Sequence, residues 1–210
     1  MSGKKNFSAM LKLGLILAAY SAAACVGLAF VYSATSEIIS RRQAADLDSS
    51  LRELFPEAEN FVPITDIKIA DPMVTITGDP ANPENTGAFA VLKNNNTIGV
   101  ALKVSRASYG GPIIILVGTG TDGRIRGVKI LEHSDTPGLG ANAASKTYFV
   151  DRANGIRYYE QFKGKAVGDS FVPRQDVAGI TAATITSAAV SLSVKAAGTA
   201  SMDWIRSGEK

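Results

Sequence analysis

Apolar and polar positions divide the 210-residue chain into three parts. These are an unbroken apolar run, a stretch of helical periodicity, and a longer region of short strand-like segments. Residues 13–32 read LGLILAAYSAAACVGLAFVY and carry no charge. About 20 apolar residues in a helix match the hydrocarbon core of a bilayer. The pattern predicts a short cytoplasmic N-terminus over 1–12 and one transmembrane helix over 13–33. Lys4, Lys5 and Lys12 precede the run, and Glu37, Arg41 and Arg42 follow it. The charge ahead of the span favours an N-terminus inside and the main body on the extracytoplasmic face, a bias that Arg41 and Arg42 weaken. Two rival readings use the same run. A cleaved signal peptide has a shorter apolar region, about 7–15 residues, and a small-residue cleavage site; Ser33-Ala34-Thr35 is a poor version of one. A lipoprotein signal would use Cys25, but Ala22-Ala23-Ala24 suits it only loosely and more apolar residues follow directly. A retained anchor in the inner or plasma membrane, in contact with lipid, is the expectation.

The periodicity then changes. Over 41–55, Leu47, Leu51 and Leu54 fall at i, i+4 and i+7, and Pro56 ends the pattern. Residues 34–64 therefore read as a stalk or helical linker, or as the first helix of the domain. The segment 66–77 is β-like around a turn at Pro72, and 79–86 (DPANPENT) is a loop by composition. Strands are predicted at 89–92 and 97–104 around the turn 93–96. The continuous apolar run 113–118 predicts a central strand, and 125–131 the next one. Asp122-Gly123 between those two is a hairpin signal. The Ala-rich segment 178–204 predicts a C-terminal helix. Several strands followed by a terminal helix argue for an α+β domain, taken as 65–206, with a twisted, mostly antiparallel sheet and packed helices.

Composition narrows the chemistry. The chain is 46% hydrophobic, with 20 Gly and a formal net charge of +3. Lys and Arg are dispersed and do not alternate with aromatics, so nucleic-acid binding is not expected. One cysteine and one histidine, Cys25 and His133, exclude an intrachain disulfide framework and a multi-cysteine metal site. Redox chemistry would need an organic cofactor.

Three constellations stand out. In 176–187 (DVAGITAATITS), Thr181, Thr184, Thr186 and Ser187 crowd hydroxyls around a helix start, with small Ala182 and Ala183 between them. A helix N-terminus favours phosphate, while the same hydroxyls can simply cap the helix. In 132–141 (EHSDTPGLGA), a Gly-rich turn follows a predicted strand. It reads either as a loop that approaches a planar ligand, with Asp135 pairing His133, or as a polar hairpin loop. In 109–113 (YGGPI), the glycines either form a bulge or leave room for a ring beside the sheet.

Together and in this order, YGGPI, HSDTPGLGA and TAATITS resemble the FMN-binding domain family. More narrowly, they resemble the G-type subunit of the Rnf electron-transport complex, with the C-type subunit of the sodium-pumping NADH:quinone reductase as a near relative. The resemblance runs from about 65 to 205. It implies FMN covalently esterified through its phosphate to Thr184, with Thr181 and Thr186 at the other hydroxyl positions of the motif. It implies further cofactor contacts from Ala182, Ala183, Ile185, Thr136, Gly138, Leu139, Gly140 and Tyr109. Lys146 and Lys195 are candidate charges near the phosphate or the reduced flavin. Asp176 matches the acidic residue recognised by a flavin transferase during maturation. Ala182 departs from the pattern, which has Gly there; alanine would be strained if that position needed positive φ. The implied function is an electron relay in a membrane ion-translocating ferredoxin:NAD+ oxidoreductase complex, with iron–sulfur and flavin subunits as partners. The alternatives are the quinone-reductase subunit, or an anchored assembly subunit with a vestigial flavin site. No G-x-G-x-x-G opens a βαβ unit, so NAD binding by this chain is not expected.

Overall fold

Nothing between Ser2 and Leu54 breaks a helix: the segment contains no proline, and two of its three glycines lie inside the apolar run. In the computed structural model, which describes residues 2–78 and 86–208 with side chains from Met10 onward, this segment is one helix, α1, Ser2–Leu54. Its apolar window is wholly exposed, with Leu13 and Phe30 at 68% and 75% exposure. It is the one described helix long and apolar enough to cross a membrane. The chain divides into two units, Met1–Ala45 and Asp46–Lys210. The end of α1 therefore belongs to the second unit, and so do residues 46–64, which the sequence leaves open between a linker and the first helix of the domain.

The second unit is α+β. Its sheet contains β1 (Asn60–Pro63), β3 (Ala88–Lys93), β4 (Asn96–Ala107), β5 (Pro112–Gly120) and β6 (Ile125–Glu132), in the order β1-β3-β4-β5-β6. Every pairing is antiparallel. A two-residue strand, β2 (Thr75–Ile76), pairs with β4 through Thr75↔Ser105 and Ile76↔Val104, just beyond the point where β3 begins at Ala88↔Leu102. The tight turn between β3 and β4 places Asn94 and Asn95 at φ 49° and 61°, the backbone that a two-residue hairpin needs. A small hairpin, β7 (Phe149–Asp151) and β8 (Ile156–Arg157), precedes the C-terminal helix α2 (Thr184–Gly208).

Both faces of the sheet are covered. That is why β5 reads as a continuous apolar run rather than an alternating one. Ile113, Ile115 and Val117 of β5, with Val100 and Leu102 of β4, pack against Val190, Val194 and Ala197 of α2. Leu116, Ala101, Val91 and Phe89 point the other way, onto Leu47, Leu51, Leu54 and Phe55. The leucine periodicity thus marks a core helix. A Cβ on Gly118 would lie 2.8 Å from the Phe55 ring, so glycine there lets the ring lie against the sheet.

The expected strand over 66–77 is the main difference. Only Thr75–Ile76 joins the ladder. Ile64, Ile67 and Val74 are buried along the edge of the core, so the alternation reports burial without pairing. Asp71 explains the break: it accepts a hydrogen bond from Met73 N at 2.9 Å and pairs with Arg106 at 2.9 Å. The loop predicted over 79–86 lies almost entirely outside the described residues. The predicted helix over 178–204 begins later, at Thr184, because 178–183 form the approach turn to α2.

Candidate functional site

The site forms where three segments meet: the 108–111 loop between β4 and β5, the 133–140 loop after β6, and the start of α2. Glycine permits the close approach. A Cβ on Gly140 would lie 2.5 Å from Thr186 Oγ1 and 2.7 Å from Asp135 Cγ, so no other residue fits between loop and helix without a shift. Gly138, at φ 78°, makes the turn of TPGLG, and its carbonyl accepts Asn142 Nδ2 at 2.9 Å.

Asp135 joins the three segments. It is 6% exposed, and its carboxylate accepts hydrogen bonds from Gly110 N at 2.7 Å, Ser108 Oγ at 2.8 Å and Thr186 Oγ1 at 3.1 Å. The sequence reading offers His133 as its partner, and the structure corrects this. His133 Nδ1 is buried with no hydrogen-bond partner among the described residues. Ser108 and the organising role of Asp135 are features of the site that sequence reasoning misses.

The start of α2 separates its hydroxyls. Ser187 N donates to Ala183 O at 3.0 Å, the first bond of the helix ladder, so Ala183 is the N-cap and no side chain caps there. The N–H groups of Thr184, Ile185 and Thr186 precede that ladder and stay available to an anion. Ser187 Oγ is buried, accepting Ile180 N at 2.8 Å and donating to Ala183 O at 2.9 Å. Thr186 is buried on Asp135. Thr181 and Thr184 remain exposed. Beneath this turn, the Tyr158 hydroxyl donates to Ser187 O at 3.2 Å; burial pushes its pKa up to about 12, so it stays protonated and keeps donating. Ala182 has φ 58°, the left-handed region in which glycine is preferred.

These segments enclose a cavity of about 350 Å³. Thr184, Ile185 and Thr186 line it from the helix, with Ala182 and Ala183 from the turn before it. Thr136, Leu139 and Gly140 line the opposite wall, Asp135 contributes to the lining, and Tyr109, 74% exposed, stands at the rim. Thr181 and Gly138 flank the cavity in sequence but do not line it. Lys146 lines a different cavity with Lys129 and Arg157, where its carbonyl accepts Arg157 Nε at 2.9 Å. Lys195 lines a third, beside Lys68 and Asp203. Neither lysine supplies charge to the wall of the first cavity.

Asp176 braces the loop that leads into α2. Its Oδ2 accepts Phe171 N at 2.6 Å, and its carbonyl accepts Lys165 Nζ at 2.7 Å. Burial pushes its carboxyl up, but hydrogen bonds from the Ser170 hydroxyl and the Phe171 and Val172 N–H groups outweigh that and hold it below the ordinary carboxylate range.

Residues 108–199, which contain all three segments, match the family model of the FMN-binding domain, and residues 1–54 match that of the RnfG N-terminal region. Similar proteins include the G subunit of the Na(+)-translocating ferredoxin:NAD(+) oxidoreductase complex of Acetobacterium woodii. It is 30% identical over 201 residues, which cover 90% of each chain. The G subunit of the proton-translocating ferredoxin:NAD(+) oxidoreductase complex of Clostridium ljungdahlii is 29% identical, covering 81% of this chain and 80% of that one. The G subunit of the ion-translocating oxidoreductase complex of Methanosarcina acetivorans is 26% identical, covering 90% and 92%. The crystal structure of Shewanella oneidensis NqrC aligns with a TM-score of 0.45 at 17% identity, covering 74% of this chain and 88% of that one.

Proposed function

Because this chain belongs to the RnfG family, the G subunits of Rnf-type ion-translocating oxidoreductase complexes, we propose that it is a membrane-anchored electron relay of such a complex, carrying FMN covalently on Thr184. The observation that carries the attachment is the sorting of hydroxyls at the start of α2. Thr186 and Ser187 are buried and already hydrogen-bonded, and Thr181 does not line the cavity. Thr184 is exposed, lines the cavity, and stands at the first position of a helix whose leading N–H groups lie ahead of the ladder. The match of 1–54 to the RnfG N-terminal region favours an Rnf complex over the quinone reductase.

The residues fit the cofactor. The Gly140 cradle would be filled by any Cβ. The cavity meets at one side a helix end suited to phosphate, which also carries apolar Ile185, and at the other apolar Leu139. Thr184 Oγ would lose its proton and bond to the FMN phosphorus as the P–O bond to the leaving phosphate group of a flavin phosphoanhydride donor, presented by a transferase, breaks. The N–H groups of Ile185 and Thr186 would donate to phosphate oxygens. Leu139, Ile185 and the exposed Tyr109 offer apolar surface for a ring. FMN, when bound, supplies the electron-carrying chemistry, while the protein sets its position and surroundings. A covalent tether keeps the carrier at high effective concentration near its redox partners. Lys4, Lys5 and Lys12 ahead of the apolar helix support an N-terminus inside and the cofactor domain on the extracytoplasmic face. Other subunits of the complex would be its partners, with a flavin transferase acting during maturation. The test is flavin fluorescence in a denaturing gel of the full-length chain co-expressed with such a transferase. The fluorescent band is expected to survive Thr181→Ala and to vanish in Thr184→Ala. A band retained in Thr184→Ala would place the attachment elsewhere.

A further inference from the structure

We propose that the Asp135 carboxylate holds the reduction potential of the flavin low, acting as a fixed negative charge in the lining of the cavity; this rests on the reading that the cavity takes FMN. Asp135 is 6% exposed and lines the same cavity as Thr184. Its three partners are neutral donors: Gly110 N at 2.7 Å, Ser108 Oγ at 2.8 Å and Thr186 Oγ1 at 3.1 Å. Gly110 N can only donate, and each hydroxyl has one proton that it can give to the carboxylate, with Ser108 Oγ also 3.2 Å from Thr186 Oγ1. None of the ion pairs among the described residues includes it. The positive end of α2 offsets its charge in part, but a phosphate at that helix end would draw on the same dipole.

An electron arriving from the redox partner adds one negative charge to the cavity, and uptake of a proton from solvent removes it. Asp135 disfavours that added charge, because like charges repel and a buried carboxylate is screened less than one in water. The charged reduced form therefore rises in free energy relative to the neutral oxidised ring, and the potential falls. Ser108 and Thr186 moderate the effect by donating to the carboxylate. The arrangement makes the cofactor a stronger reductant toward its acceptor.

Spectroelectrochemical titration of the full-length, flavin-loaded protein in detergent tests this. In Asp135→Asn the amide oxygen can still accept from Gly110 N, and both hydroxyls can rotate to accept from the amide nitrogen, so the geometry is kept and the charge removed. The midpoint potential is expected to shift upward. Ser108→Ala keeps the charge and removes a donor, so its potential is expected to shift downward. An unchanged or lower potential in Asp135→Asn overturns the proposal, as does a higher one in Ser108→Ala. If Asp135→Asn carries no flavin, the sign in Ser108→Ala decides. Loss of flavin from both variants, with retention in Thr186→Ser, would make the role of Asp135 structural and also overturn it. Failure of the covalent reading is seen separately, as the absence of a fluorescent wild-type band after denaturation.

Discussion

Ala182 sits at φ 58°, one residue before the N-cap of α2 and two before Thr184. An alanine there costs about 1 kcal/mol relative to glycine, because its Cβ crowds the left-handed backbone. Ala182→Gly is therefore expected to raise unfolding stability by about 0.5–1 kcal/mol, read from the urea midpoint, with flavin attachment retained. A loss of stability would mean that the methyl packs favourably against the cavity. Asp176 gives a second prediction at this scale. Its folded-state pKa is lowered by the Ser170, Phe171 and Val172 hydrogen bonds, which outweigh burial. Its contribution is then fully present above the unfolded value of about 3.9 and is lost as pH falls through the folded one. Asp176→Asn should lower stability at pH 7, and its difference from wild type should shrink in urea titrations below about pH 4. The hydroxyls of Thr184 and Thr186 are legible in the sequence as a cluster, but their division of roles is not. That division depends on Asp135 and Ser108, which meet Thr186 across 51 and 78 residues of chain. No local pattern encodes a contact of that span, so the nearby His133 looks the better partner for Asp135.

Among the elements, the leucine periodicity of 47–54 and the apolar run of β5 are readable because each reflects what the segment buries. They are two sides of one interface: Leu116 of β5 packs on the end of α1. Phe55, 1% exposed, lies against Gly99 and Gly118. Phe55→Ala is expected to cost about 3–5 kcal/mol by opening a cavity on this face. Gly118→Ala should cost about 1–3 kcal/mol by overpacking, since its Cβ would meet the ring at 2.8 Å. Thermal unfolding of both variants checks the pair; no loss in either would mean that the helix end is not part of the core. Segment 66–77 shows the opposite case. Its alternation of apolar residues is real, yet Asp71 and Pro72 turn the chain away from the ladder, so period 2 marks burial and not pairing. Strand β1, Asn60–Pro63, escapes sequence reading because three of its four residues are exposed and its pairing with β3 is made by backbone groups.

On the scale of the whole molecule, the sequence orders the long apolar run ahead of the strand-rich region and leaves 34–64 open between a linker and the first helix of the domain. The compact unit begins at Asp46. A chain starting at Asp46 is expected to give a soluble, cooperatively unfolding unit. One starting at residue 65 lacks Leu47, Leu51, Leu54, Phe55 and β1, exposes the face that they cover, and is expected to aggregate. Size-exclusion chromatography distinguishes the two outcomes, and equal behaviour would place the α1 end outside the folding unit. The central claim concerns one oxygen atom on this unit. Peptide mass spectrometry of the full-length protein, matured with its transferase, tests it most directly. The expected result is an FMN phosphoester on Thr184, absent from Thr184→Ala and unaffected by Thr181→Ala. A wild-type Thr184 peptide found entirely unmodified, or FMN mapped to another residue, would contradict it.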